Sequence, residues 1–276
     1  MVLESLGRVP YVFILVLAEL YAQREAQLAF PVTLLVVVFG LQAGAFGLDS
    51  FGKLLAKKET TRWKEASLGL GMVGYCASLV AMVELSKSSE AGWHLWLDYT
   101  LYLLLALLYS MPPLHLNIHG AGSVVLFLMN GIVAVELVTL GLNIGWSLQA
   151  ILECIPSHLL LQASLVVKEL SSLKEDSSIT STAGLLGRHD SFRFVVLMHF
   201  FAFLFVAVDF AALSYWRGLP LVLVLWSLPL LYNLRHFRLA GLWKSYYRLF
   251  LTFTLLYACG IMLECEQFLD DLKATL

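Results

Sequence analysis

Apolar residues in this chain gather into runs long enough to cross a bilayer, separated by short polar stretches. A helix needs about 20 predominantly apolar residues to span roughly 30 Å of hydrocarbon. Nine runs approach that length: residues 9–24, 28–48, 66–86, 97–112, 121–141, 146–167, 192–213, 218–234 and 246–265. Together they consume most of the sequence and leave no separate soluble domain. The pattern therefore predicts an all-α, polytopic membrane protein forming one transmembrane domain over residues 1–276. The first run follows Arg8 like the apolar core of a signal peptide, but no small-residue cleavage site comes after it, so it is read as a retained helix. The fourth ends at Pro112-Pro113, where a helix cannot continue.

Composition strengthens the membrane reading. Of 276 residues, 59% are hydrophobic and 14% charged, and the mean hydropathy is +0.80. A soluble domain carries about 25% charged residues, so a soluble enzyme, a disordered region and a disulfide scaffold are excluded. A net charge of −2 excludes a generally basic nucleic-acid binder. The four cysteines, Cys76, Cys154, Cys259 and Cys265, lie in or beside apolar runs without CxxC spacing and read as small core hydrophobes. Basic residues stay on the cytoplasmic side of a membrane or its equivalent. With the N-terminus inside, 14 of the 18 Lys and Arg fall in inner segments. Arg24, Lys87, Arg217 and Lys273 fall outside, with the C-terminus. A bacterial inner membrane and an organellar inner membrane both suit this distribution.

Two inner loops, about 49–65 and 168–191, are long and polar, and the other connections are short. After the fourth run comes Tyr109-Ser110-Met111-Pro112-Pro113-Leu114-His115-Leu116-Asn117, then Ile118-His119-Gly120-Ala121-Gly122. On these residues the chain resembles the menaquinone-type branch of the UbiA superfamily of membrane prenyltransferases. That family shows a tyrosine-serine-x-proline-proline run after its fourth helix and a glycine-rich approach to its fifth. The nine-helix layout with long loops after helices two and six resembles this chain too, as does Leu186-Gly187-Arg188 before helix seven.

The resemblance implies a UbiA-like helical bundle that binds an isoprenoid diphosphate through Mg²⁺, held by aspartate-rich motifs ending helices two and six. Carboxylate-bound hard cations neutralise a diphosphate leaving group. The allylic carbocation then meets an aromatic or lipid acceptor. In this chain the first motif, of the form Asn-x-x-Asn-Asp-x-x-Asp, becomes Gln42-Ala43-Gly44-Ala45-Phe46-Gly47-Leu48-Asp49, which keeps only Asp49 with Gln42 as a polar substitute. The second becomes Lys168-Glu169-Leu170-Ser171-Ser172-Leu173-Lys174-Glu175-Asp176. Glu169 and Asp176, seven apart, can share a helix face, whereas Glu175 and Asp176 cannot both point inward. Where family members carry basic residues after the proline pair, this chain has His115 and Asn117. The resemblance thus implies Asp49, Glu169 and Asp176 as metal ligands, and Lys53, Arg62, Tyr109, Ser110, His115, Lys168 and Arg188 at the diphosphate.

Ionisable groups inside spans are functional hypotheses by default. Glu19, Glu136, Glu153 and Asp209 lie in the outer half, with Glu136 deepest, and His158 and His199 lie deeper in their spans. They read either as a polar cluster or proton path, or as side chains reaching water or a neighbouring Ser, Tyr or Trp. Phe39, Phe46, Phe127 and Tyr109 are candidates to line a prenyl channel, and Gly69, Gly71 and Gly74 suit close helix contact. Three readings remain open: a prenyltransferase, an inactive relative binding lipid or quinone within a membrane complex, and a small transporter.

Overall fold

The computed structural model describes residues 32–56, 62–89, 92–112, 114–116, 120–172 and 181–275. Among the described residues every regular element is helical. Seven helical segments are long and apolar enough to cross a membrane: Val32–Gly52, Glu65–Lys87, Gly122–Gly141, Leu148–Ser171, Thr182–Ala212, Tyr215–Arg235 and Leu242–Glu264. The protein is a multi-pass helical membrane protein. Residues 9–24, the first expected span, lie outside the described residues. The fourth expected span forms a helix, Gly92–Ser110, which carries His94 and Asp98 in its first half and is not one of the seven.

Side chains are distributed as lipid solvent requires. Met72, Val73 and Val80 stand exposed on one helix, and Leu197, Phe200 and Val208 on another. Asn130, His158, Gln162 and Thr254 are buried. Contiguous apolar surface of this extent suits hydrocarbon and not water. Cys154 is buried as a core hydrophobe should be, whereas Cys76 and Cys259 are exposed.

The chain divides into two compact units at Ile151 and Leu152. The first holds α1 (Val32–Ala56), α2 (Arg62–Ser88), α3 (Gly92–Ser110), α4 (Gly122–Leu126) and α5 (Ala134–Gly141). Between α4 and α5, residues Phe127–Val133 wind as a π-helix, so these three segments make one continuous span. Helix α1 packs antiparallel on α2 along a glycine seam. A side chain at Gly40 would lie 2.6 Å from the Gly74 carbonyl oxygen, and one at Gly47 would lie 2.5 Å from the Gly71 Cα. With no apolar solvent penalty to drive association in lipid, such small residues let backbones gain dispersion contact. Gly71 and Gly74 sit in this seam as expected, but Gly69 has nothing near it. Two residues along a helix are about 200° apart, so Gly69 and Gly71 cannot share a face.

The second unit begins within α6 (Leu148–Ser172) and holds α7 (Thr182–Ala212), a 3₁₀ segment (Tyr215–Leu223), α8 (Val224–Arg235) and α9 (Leu242–Thr275). Helix α7 breaks at Gly187, whose φ of 72° and ψ of 174° are open to glycine. The 3₁₀ segment lies against α9 at Gly260, which faces the Trp216 carbonyl.

Candidate functional site

In the first unit, the Tyr-Ser-x-Pro-Pro run folds back on α3. Leu116 N–H donates to the Leu108 carbonyl at 3.0 Å and His115 N–H to that of Met111 at 2.8 Å. Pro112 ends the helix, and His115 takes a φ of 36°, a left-handed conformation that His adopts more readily than most residues. The reversal brings His115 and Ser110 against Gly52, three residues beyond Asp49. A side chain at position 52 would strike the Ser110 carbonyl and approach His115 Nε2 within 3.3 Å. Tyr109, Ser110 and His115 are buried, and Ser110 Oγ has no hydrogen-bond partner among the described residues. Thus the end of α1, which carries Asp49, meets Ser110 and His115 of the proline turn in the same unit. The backbones of Lys53 and Arg62 belong to α1 and α2, and their side chains lie outside the described residues.

Two turns before Asp49, Gln42 belongs to a different network. Its amide N–H donates to Asn130 Oδ1 at 2.6 Å, and Tyr102 O–H donates to the same oxygen at 3.3 Å. Asn130 is buried and stands within the π-helical stretch. In a dry interior an unpaired amide costs several kcal/mol. Gln42, Asn130 and Tyr102 satisfy one another without any charge. Of the aromatics proposed for a channel, Tyr109 is buried and Phe39, Phe46 and Phe127 are half-buried.

In the second unit, Glu169 near the end of α6 accepts from the Ala183 backbone N–H at 3.0 Å. Ser181 Oγ accepts from Gly184 N–H at 3.2 Å. The two side chains satisfy donors of the first turn of α7 and place negative charge at its positive end. Lys168 lies 5.1 Å from the Trp243 ring centre, and Arg188 lies 6.0 Å from that of Phe237. Both distances suit cation–π contact. Asp176 lies outside the described residues. Glu169→Ala is expected to cost about 1 kcal/mol, the usual loss for an N-terminal cap. Hydrogen exchange at Ala183 should accelerate in that variant and less so in Glu169→Gln, whose amide oxygen still accepts. Unchanged protection of Ala183 in the alanine variant would disprove the capping role.

Mg²⁺ asks for near-octahedral oxygens, commonly one or two carboxylates with phosphate and water. Among the described residues no three His, Cys, Asp or Glu side chains gather to hold a cation. Asp49 is the single carboxylate left at the first motif, and one oxygen of Glu169 is engaged by backbone. The described donors do not make up a Mg²⁺–diphosphate cage.

Neither the models of known protein families nor the sequences of curated proteins match this chain.

Sequence reasoning named Glu153 and Asp209 for a polar cluster but missed Arg217 and Glu264, which complete it. Arg217, counted there among outer-loop bases, is only 5% exposed. Its Nη1 donates to Glu153 Oε1 at 2.6 Å and its Nε to Glu264 Oε2 at 2.5 Å. Close by, Tyr257 O–H donates to Asp209 Oδ2. The 3₁₀ segment carries Arg217 into the bundle, where it ties together α6 and α9. Three acids at the ends of different helices, with one arginine in a short connection among them, were the available signal. Farther along α7, His199 Nδ1 donates to the Val195 carbonyl at 2.9 Å, and its ring meets Tyr246 edge-on with centroids 5.2 Å apart. Glu19 lies outside the described residues.

Proposed function

We propose that this chain is a UbiA-like membrane scaffold of nine-helix layout that holds an isoprenoid lipid or prenylated quinone without transferring a prenyl group. The observation that carries this reading is the neutral Gln42–Asn130–Tyr102 network at the first motif position. A prenyl diphosphate must have its charge neutralised before it ionises. Polar groups that satisfy one another, uncharged, supply none of that neutralisation. The capping role of Glu169 supports the same reading, because it commits a second motif residue to structure. A chain of this kind suits a lipid- or quinone-binding subunit alongside a membrane-protein partner.

The test is thermal unfolding of the detergent-purified protein. A ligand that binds only the folded state stabilises it by about 2.7 kcal/mol at a hundredfold excess over Kd. A prenylated quinone or geranylgeraniol is expected to raise Tm equally with and without Mg²⁺. Geranylgeranyl diphosphate is expected to gain nothing from Mg²⁺. A Mg²⁺-dependent rise with the diphosphate, abolished by Asp49→Ala, would replace this reading with an active prenyltransferase. No response to any isoprenoid would refute lipid binding itself.

A further inference from the structure

In the second unit, the chain from the end of α8 into α9 carries Arg235, Arg238, Lys244 and Arg248, and no Asp or Glu occurs between Asp209 and Glu264. All four bases are exposed. Among the described residues no carboxylate lies within ion-pair distance of any of them. The turn that carries them is fixed by its backbone. Phe237 N–H donates to the Leu234 carbonyl and Arg238 N–H to that of Asn233, both at 2.9 Å. These paired bonds close a helix through one left-handed residue, usually glycine. Here that residue is Phe237, at φ 52°, where a bulky side chain is strained.

The ring of Phe237 gathers the start of α7 onto the turn. His189 meets it edge-on with centroids 5.7 Å apart, and the Arg188 guanidinium lies 6.0 Å from its centre. Six residues on, Trp243 has Lys244 at 5.9 Å and Lys168 of α6 at 5.1 Å from its ring centre. Arg248 follows Lys244 by four residues, so the two share a face of α9. Of the described acids at these helix ends, Glu169 accepts from the Ala183 N–H and Asp190 pairs with Arg193 at 2.9 Å. An aromatic ring orients a cation but does not cancel its charge. Like charges held close together repel unless an anion lies among them. Basic residues beside a span are ordinary for an inner loop. That rule does not call for a left-handed phenylalanine, or for cations gathered from separate helices onto two rings. The spans on either side end at Arg235 and resume at Leu242, which puts the turn at the level of the lipid phosphates.

We propose that the α8–α9 connection binds an acidic phospholipid, its phosphate held among Arg235, Arg238 and Lys244, with Arg188 oriented toward it by the Phe237 ring. The site is independent of isoprenoid binding. A lipid and not a free anion is its occupant, because a bilayer concentrates phosphates at this depth. Each basic residue near an anionic lipid surface is worth about fivefold in affinity. The full chain is extracted in detergent from vesicles of equal phosphatidylglycerol and phosphatidylcholine, and the lipid retained per chain is counted. Phosphatidylglycerol is expected to be retained in clear excess. The double variant Arg235→Gln, Arg238→Gln should bring the retained ratio close to that of the vesicles. Lys87→Gln, an exposed base of the first unit, should leave the ratio unchanged. Phe237→Gly keeps every charge and puts the favoured residue at the left-handed position. It should therefore fold and still lower the excess several-fold, which diffuse surface charge would not do. Inorganic pyrophosphate at matched ionic strength is expected not to displace the lipid. Equal retention of the two lipids, wild-type retention in the double variant or in Phe237→Gly, or displacement by pyrophosphate overturns the proposal.

Discussion

Arg217→Met will destabilise the second unit by about 3–5 kcal/mol, the cost of removing one partner from a buried ion pair. The guanidinium bridges Glu153, which is almost fully buried, and Glu264, which is about one-third exposed. Methionine fills the volume of the arginine stem, so lost packing contributes little. The damage comes from taking the Arg217 charge away from the buried Glu153 carboxylate. Pairing Arg217→Met with Glu153→Leu should therefore recover most of the loss, since Glu264 can reach water and an apolar replacement of a buried pair is often neutral or better. Arg217→Lys should fall between, because an ammonium cannot present two separate donors in the planar fork that meets both acids. Unfolding in detergent, followed by helical circular dichroism, measures all three. A single variant within 1 kcal/mol of wild type, or a double variant no better than the single, would end this account.

The second large effect is expected in the glycine seam of the first unit. Gly47→Leu places a branched side chain where even a Cβ would lie 2.5 Å from the Gly71 Cα. The obstacles, the Gly71 Cα and N and the Ser67 carbonyl oxygen, are all backbone, so the helices must separate along their length. Overpacking a close interface costs about 1–3 kcal/mol and occasionally more, and here the upper part of that range is expected. Gly69→Ala is the control, since it faces open space and should be neutral or slightly stabilising through helix propensity. Equal effects at positions 47 and 69 would show that the seam does not hold α1 to α2.

These two sites mark what could and could not be read from the chain. Span positions follow from run length, because hydrocarbon thickness fixes how many apolar residues a helix must offer. The helices therefore appear near their expected places, including the proline stop after Ser110. Close contact at Gly71 and Gly74 was legible from small-residue spacing. Their partners Gly40, Gly44 and Gly47 were not, because pairing depends on the register between two helices. Arg217 was misread for a related reason. Counting charges assigns an arginine between spans to the aqueous loop, and nothing local to residues 213–223 shows that the segment turns inward. For the candidate site, Asp49, Ser110 and His115 were legible through a motif, whereas the pairing of Gln42 with Asn130 joins residues 88 apart. Glu136 was marked by its polarity alone. His94, which lines a cleft with it, went unremarked because a polar residue near a span boundary looks ordinary in sequence.

The π-helical stretch Phe127–Val133 has a consequence for how this protein tolerates change. A π turn accommodates one more residue than the α turn it interrupts, and each α-helical residue turns the chain by about 100°. Removing one residue from this stretch would let the span straighten into plain α-helix, with length and hydropathy nearly intact. Because the wide turn absorbs its extra residue, the α segments on either side would keep the faces they present. Only the residues of the turn itself, Asn130 among them, would change position against their neighbours. A deletion here would pass any inspection of hydrophobicity and leave Glu136 where it stands, yet shift Asn130 against Gln42 and Tyr102, so the bulge sets the place of one polar side chain without setting the register of the span.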